Sequence, residues 1–188
     1  MVYHVSATHG LTKLIPKIST HRKPYVYAVE NKTTALLFGA KHDDFDFIIS
    51  TDAKGLPHIY ECYSNAFQAI FSSVSCSVYE LPSDSFLKGK TNWDAELVSE
   101  TEVFVQKERY VPDLYESLLR ESDLGNLVIH FYQADPDYRK MISEHIVDRM
   151  IRFDLLEKDW KRDARFTTHY SALINGLISL MDGHLLQP

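Results

Sequence analysis

The sequence predicts an α+β fold, an antiparallel sheet with short helices followed by a helical C-terminal extension, and three observations carry that expectation. Between Val2 and Tyr132 short apolar runs are separated by turn residues, the pattern of strands about five to six residues long. Helical spacings in that region are brief, apart from one that opens at Pro112. From Asp135-Pro136 onward, apolar residues recur at helical spacing nearly to the end. The expected organisation is an α+β domain over residues 1–134 and a helical extension over residues 135–188 packed on it.

The elements follow in order. Residues 2–6 open the sheet, and Thr8-His9-Gly10 turns the chain. Leu11, Leu14 and Ile15 share one face of a predicted short helix that stops at Pro16, because proline has no amide hydrogen for a helix interior. Residues 17–23 read as a polar loop and residues 25–29 as a strand. Asn31 is suited to cap a helix over residues 32–38 that ends at Gly39. His42-Asp43-Asp44-Phe45-Asp46 reads as a solvated acidic loop. Extended runs at 47–49 and 57–62 flank the turn Asp52-Ala53-Lys54-Gly55 and form an antiparallel pair. Ser64 is placed to cap a helix over 65–71, and a strand at 76–81 follows. After a polar loop at 82–92 come extended runs at 95–98 and 102–105. Pro112 then takes the first position of a helix striped by Val111, Leu114, Tyr115, Leu118 and Leu119, with Gly125 beyond its end. Residues 127–132 form the last strand. In the extension Met141, Ile142, His145, Ile146, Met150 and Ile151 keep helical spacing, and 167–181 is a final amphipathic helix before Gly183.

Composition narrows the function classes. A chain of 188 residues with 45% hydrophobic and 12% aromatic content is too apolar for disorder, and no run of about 18 apolar residues suggests a membrane span. The opening Met1-Val2-Tyr3-His4 lacks the basic and apolar regions of a secretory signal, so a cytoplasmic location is expected. The formal charge of −6 argues against broad electrostatic binding to nucleic acid. Cys62 and Cys76 have neither metal-ligand spacing nor the density of a disulfide scaffold. No phosphate loop, dinucleotide fingerprint, zinc-protease or hydrolase-elbow motif is present, and no metal is expected.

Function is therefore argued from separate residues. His4, at the end of the first strand, can donate one hydrogen bond to a ligand hydroxyl while its other nitrogen is fixed by the backbone. Tyr27 and Tyr25 share a strand face, since strand side chains repeat every two residues, and an aromatic face can stack on a flat heteroaromatic ring. In Trp93-Asp94-Ala95-Glu96-Leu97-Val98-Ser99 a carboxylate opens an apolar run, where it can hold a sugar hydroxyl and face developing positive charge. Glu100 and Glu102 stand close by, and the spacing is compatible with all three carboxylates. Two charged clusters read as surface: the acidic loop 42–46, and the tail groups His145, Asp148, Arg149 and Arg152 with residues 158–165.

The order of these pieces resembles the His–Tyr–Glu branch of the ADP-ribosyltransferase fold over roughly residues 3–105. It has a histidine at the end of the first strand, a Gly-Leu turn, a Val-Tyr-Ala strand, a helix near Thr33-Thr34-Ala35 and a late strand bearing a glutamate. The resemblance implies a split antiparallel sheet with NAD bound between its parts. It implies that His4 bonds the ribose, Tyr27 stacks on the nicotinamide, the backbone at Val5 faces the carboxamide, and Glu96 contacts the ribose and steadies the cation formed as nicotinamide leaves. Tyr25 joins the expected NAD-binding set, and Val5 stands where family members often have glycine. The implied activity is NAD-dependent transfer of ADP-ribose to an acceptor the sequence does not name. The alternative is a catalytically silent protein of this fold that binds a partner, or a second copy as a homodimer, through the C-terminal stripe Leu173, Leu177, Leu180 and Met181.

Overall fold

The structure, a computed structural model, describes residues 1–18, 23–91, 93–157 and 160–185. Residues 19–22 of the predicted polar loop, Asn92 of the later loop, and Lys158 with Asp159 of the charged tail segment lie outside the described residues. In chain order the elements are β1 (Val2–Ser6), β2 (Lys13–Leu14), β3 (Lys17–Ile18), β4 (Pro24–Val29), α1 (Lys32–Leu37), β5 (Phe47–Thr51), β6 (Pro57–Glu61), α2 (Ala66–Phe71), β7 (Cys76–Leu81), β8 (Glu96–Ser99), β9 (Val103–Phe104), β10 (Lys107–Val111), α3 (Leu114–Asp123), β11 (Val128–His130), α4 (Pro136–Arg152) and α5 (Ser171–Leu185). The fold is α+β with antiparallel pairing. Among the described residues no helix is long and apolar enough to cross a membrane.

The largest sheet runs β10-β7-β1-β4-β3, with β8 added on β4. A second sheet runs β11-β6-β5, and β2 pairs with β9. The chain divides into two compact units, one of Met1–His42, Ile49–Ile59 and Phe67–His130, the other of Asp43–Ile48, Tyr60–Ala66 and Phe131–Pro188. The second unit therefore takes two short segments from before residue 135 besides the C-terminal helices.

In the first unit Val2, Val26, Ala28, Tyr79, Leu81 and Leu97 are buried together from β1, β4, β7 and β8, and Leu14 and Val103 cover them. That cover explains the first departure from expectation. The run Leu11, Leu14, Ile15 does not form a helix: Lys13 and Leu14 pair as β2 with Phe104 and Val103, so Leu14 is buried while Ile15 faces outward. The ladder to residues far along the chain outweighs a local periodicity too short to sustain a helix. Likewise Lys17 and Ile18 are not loop but pair with Tyr25 and Pro24. The strand β10 was not expected, because Lys107-Glu108-Arg109-Tyr110 has an outward, polar face.

Helix ends follow local chemistry. The Asn31 side chain accepts from the Thr34 amide to cap α1. A Cβ added at Gly39 would lie 2.7 Å from Leu114 Cδ2, so close packing requires the glycine after this helix. The cap of α3 is Asp113, accepting from the Glu116 amide, and Pro112 precedes it instead of opening the helix. Asn65, with φ 64, keeps α2 from starting before Ala66.

In the second unit Phe45, Cys62, Ile142, Ile146, Met150, Trp160, Phe166, Tyr170 and Ile174 form the core. Asp135 caps α4 with Pro136 in its first turn, as expected. The last helix differs: a π-helical turn, Phe166–Tyr170, leads into α5, which passes Gly183 and reaches Leu185. Leu173 packs against the core, whereas Leu180 and Met181 are exposed. The acidic loop is not a solvated turn. Asp46 is buried, and Arg165 bridges Asp43, Asp46 and Asp163 at 2.8–3.0 Å. A buried carboxylate needs such a partner. His145 bonds the Asp44 carbonyl and Arg149 pairs with Asp44, so these tail groups hold the loop and are not a free charged face.

Candidate functional site

The two edges of β1 differ. On one, every residue from Val2 to Ser6 has a partner in β7, from Leu81 to Ser77. On the other, the register partner in β4 is Tyr3 with Val29. Beyond that pair a pocket of ≈ 210 Å³ opens, lined by Tyr3, His4 and Val5 of β1 and by Tyr27, Ala28 and Val29 of β4. Successive strand residues point to opposite faces, so a pocket touching three in a row on both strands lies in the gap between their edges.

His4 spans part of this gap. Its Nδ1 lies 2.7 Å from the Tyr27 carbonyl oxygen. A carbonyl can only accept, so Nδ1 carries the hydrogen, and Nε2 of the neutral ring is an acceptor. Burial holds the His4 pKa below the usual imidazole value; the bond to Tyr27 partly opposes this, and the charge of Lys17 adds to it. The ring is therefore neutral near pH 7. It would accept a hydrogen bond from a ligand hydroxyl at Nε2, not donate one as the sequence reading expected.

The faces sort the remaining groups. Tyr3 pairs with Val29 and Val29 with Glu96, so Tyr3, Val5, Tyr27, Val29 and Glu96 share one face by alternation. His4 belongs to the other, with Val2 and Tyr79, whose ring centroid is 6.4 Å from that of His4. Tyr27 and Glu96 thus stand on one face of the sheet and His4 on the other, which counts against the expected convergence of these side chains. The His4 bond to the Tyr27 carbonyl brings its ring to the gap between the strands.

Glu96 lines the pocket at the start of β8. Neither rival carboxylate does: Glu100 is exposed, and Glu102 pairs with Lys13 at 2.8 Å. Tyr25 is buried and outside the lining; its ring meets that of Tyr27 edge to face at 5.9 Å. Its place is to support Tyr27. Val5 is in the lining.

Tyr3, Ala28, Val29, Ala35, Phe38 and Trp93 also line the pocket, and none of them is singled out as a site residue from the sequence. Phe38 follows the last turn of α1, and Trp93 closes the loop before β8; their ring centroids lie 5.4 Å apart at 53°. Phe38 reads as an ordinary helix end, and its 43% exposure, high for an aromatic next to a buried helix, becomes visible only in the fold.

A second polar cluster lies along the paired edge. The Glu108 carboxylate accepts from the Gly10 amide at 3.0 Å, from Ser77 Oγ and from Tyr79 OH. Tyr79 OH is 2.7 Å from the Thr8 carbonyl and accepts from the Leu11 amide. His9 Nδ1 is 2.8 Å from Ser77 Oγ, whose hydrogen is given to Glu108, so Nδ1 donates. Ser77 and Gly10 hold the Glu108 carboxyl below its usual range. These bonds pin residues 8–11 onto the sheet, and Gly10, with φ +71, supplies the turn.

Among the described residues no group of three or more His, Cys, Asp or Glu is arranged to hold a metal ion. Comparison of the chain with protein-family models, curated proteins and solved structures finds no match.

Proposed function

We propose that the pocket between β1 and β4 binds the nicotinamide–ribose end of NAD, and that the protein transfers ADP-ribose from it to an acceptor with release of nicotinamide. The observation that carries this reading is that His4, Tyr27 and Glu96, from three strands, line one pocket. The sheet supports it: β10, β7 and β1 on one side and β4, β3 and β8 on the other meet through the Tyr3–Val29 pair, as a split sheet of the ADP-ribosyltransferase type would. A pocket of ≈ 210 Å³ is smaller than the roughly 300–1,000 Å³ of whole-ligand sites, so it suits one ring and a pentose, with diphosphate and adenosine outside.

In this reading Tyr27 offers its ring face to the nicotinamide and His4 Nε2 accepts from a ribose hydroxyl. Glu96 faces the positive charge that grows on the ribose as its bond to the ring nitrogen breaks. The rate comes from positioning and electrostatics, with no protein nucleophile. Glu96→Gln should lower nicotinamide release from NAD at least about a hundredfold, the order lost when one such electrostatic group is removed. The same variant should keep most of the rise in melting temperature that NAD produces. Undiminished release would remove Glu96 from the mechanism.

A second reading is a catalytically silent binding or interaction protein of this fold. It is favoured by His4 arising on the face opposite Tyr27 and by a branched residue, Val5, in the lining where the family often has glycine. The exposed Leu180 and Met181 would be its partner or homodimer contacts. NAD at a hundred times its dissociation constant adds about 2.7 kcal/mol to stability, a readily measured shift. No shift with NAD and no nicotinamide release selects this reading, and release selects the first.

A further inference from the structure

We infer that the pocket selects a flat organic cation, of the N-alkylated pyridinium kind, over a neutral ring of the same shape. The inference rests on the pocket being the ligand site and goes on to name the charge that the site recognises.

Four aromatic residues, Tyr3, Tyr27, Phe38 and Trp93, line the pocket with Glu96. Aromatic faces carry negative electrostatic potential and attract cations. Phe38 and Trp93 stand at 53° to each other and are not stacked, so neither ring covers the other's face. Tyr27 is set against the buried Tyr25 in an edge-to-face contact that limits its rotation. The lining therefore offers aromatic surface held in place before any ligand arrives.

The charges point the same way. Glu96 contributes a carboxylate, while His4 is kept neutral by burial, which outweighs its bond to the Tyr27 carbonyl. Lys17, whose charge also acts on His4, sits on β3 and is not in the lining, nor is any other lysine or arginine among the described residues. A neutral ring gains stacking alone here. A cationic ring gains stacking, attraction to the ring faces and attraction to Glu96, the last strengthened where solvent is partly excluded. This also gives an exit for product. The positive charge of a ribosyl-pyridinium disappears from the ring when the bond to the ribose breaks, so the neutral ring loses the interactions that held its parent.

The test is calorimetric titration of the full chain with 1-methylnicotinamide, the cation, and nicotinamide, its neutral counterpart. The cation should bind at least about tenfold more tightly. Phe38→Leu and Trp93→Leu, which keep apolar bulk and remove the ring faces, should each shrink that ratio, and so should Glu96→Gln. If Phe38→Leu does not fold, Trp93→Leu and Glu96→Gln decide. Equal affinities, tighter binding of the neutral ring, no binding of either, or a ratio unchanged in every folded variant would overturn the inference. Failure of the transfer reading looks different: the cation is preferred, yet NAD releases no nicotinamide. Nicotinamide release without cation preference would overturn this inference and leave transfer standing.

Discussion

The two edges of β1 put similar residues to opposite uses. Against β7, Ser77 and Tyr79 give their polar groups to Glu108 and to residues 8–11, and every strand residue has a ladder partner. Against β4, His4 gives Nδ1 to the Tyr27 carbonyl where the strands part, and a pocket remains beside it. Both edges satisfy backbone groups with side chains, as burial demands. The difference is closure. A closed edge fixes the fold and leaves nothing for a ligand, while an edge that opens after one pair presents aromatic, imidazole and carboxylate groups together. Stability should therefore reside mainly on the β7 side and binding on the β4 side.

The largest effect expected from that division is at Tyr79, which is fully buried and ties residues 8–11 through its hydroxyl. Tyr79→Ala should destabilise the first unit by about 3–5 kcal/mol, the usual loss for a buried aromatic cut to alanine. Tyr79→Phe keeps the ring and should cost roughly 1 kcal/mol through the lost hydroxyl bonds. Urea unfolding followed by tryptophan fluorescence measures both. A loss at Tyr79→Ala no greater than that at Tyr79→Phe would break the assignment of stability to this edge.

On the open edge, His4→Ala should cost less, roughly 2 kcal/mol, by leaving the Tyr27 carbonyl without its donor. It should also remove ligand binding. The pH response has a definite sign. The His4 pKa is lowered in the fold from 6.5, so between the folded value and 6.5 the unfolded chain binds more protons. Stability is then full above about pH 6.5 and is lost as pH falls through the folded value. His130, His145 and His169 are lowered too, each chiefly by burial, so the wild-type decline sums several groups. His4→Ala should flatten it, and an unchanged slope of unfolding midpoint against pH would show that His4 is not held neutral.

What the sequence revealed, and what it hid, follows the same division. Elements set by neighbours were legible: the Asn31 cap and Gly39 stop of α1, the Asp135-Pro136 start of α4, and the apolar strands β4 and β7. Elements set by distant partners were not. Leu11, Leu14 and Ile15 have helical spacing, but residues 103–105 draw Leu14 into a strand pair. The Asp43-Asp44-Phe45-Asp46 loop looks solvated until Arg165, far along the chain, is brought to it. His4, Tyr27 and Glu96 were singled out by residue type and order, whereas the fact that Glu96 lines the pocket and Glu100 and Glu102 do not is visible only in the fold. Phe38 and Trp93 carry no local mark of a pocket, because their meeting depends on where α1 and β8 land on β4.

The smallest effect, and the finest test of the comparison, is at Val5, which belongs to both edges. Its backbone pairs with Val78 of β7, and the residue lines the pocket on the face that carries Tyr27 and Glu96. Val5→Ala removes two methyl groups from a half-buried site and lowers strand preference, a cost of about 1 kcal/mol. The space gained is on the ligand side. NAD should bind Val5→Ala about threefold more tightly than wild type, a change of ~0.6 kcal/mol, as the branched side chain stops competing with the ring for the gap. Stability and affinity then move in opposite directions from one substitution. That outcome is possible only if the residue faces a closed ladder on one side and an open pocket on the other. Weaker NAD binding by the folded variant would mean that Val5 packs against the ligand and does not crowd it, and the open edge would have to be redrawn with Val5 as one of its contacts.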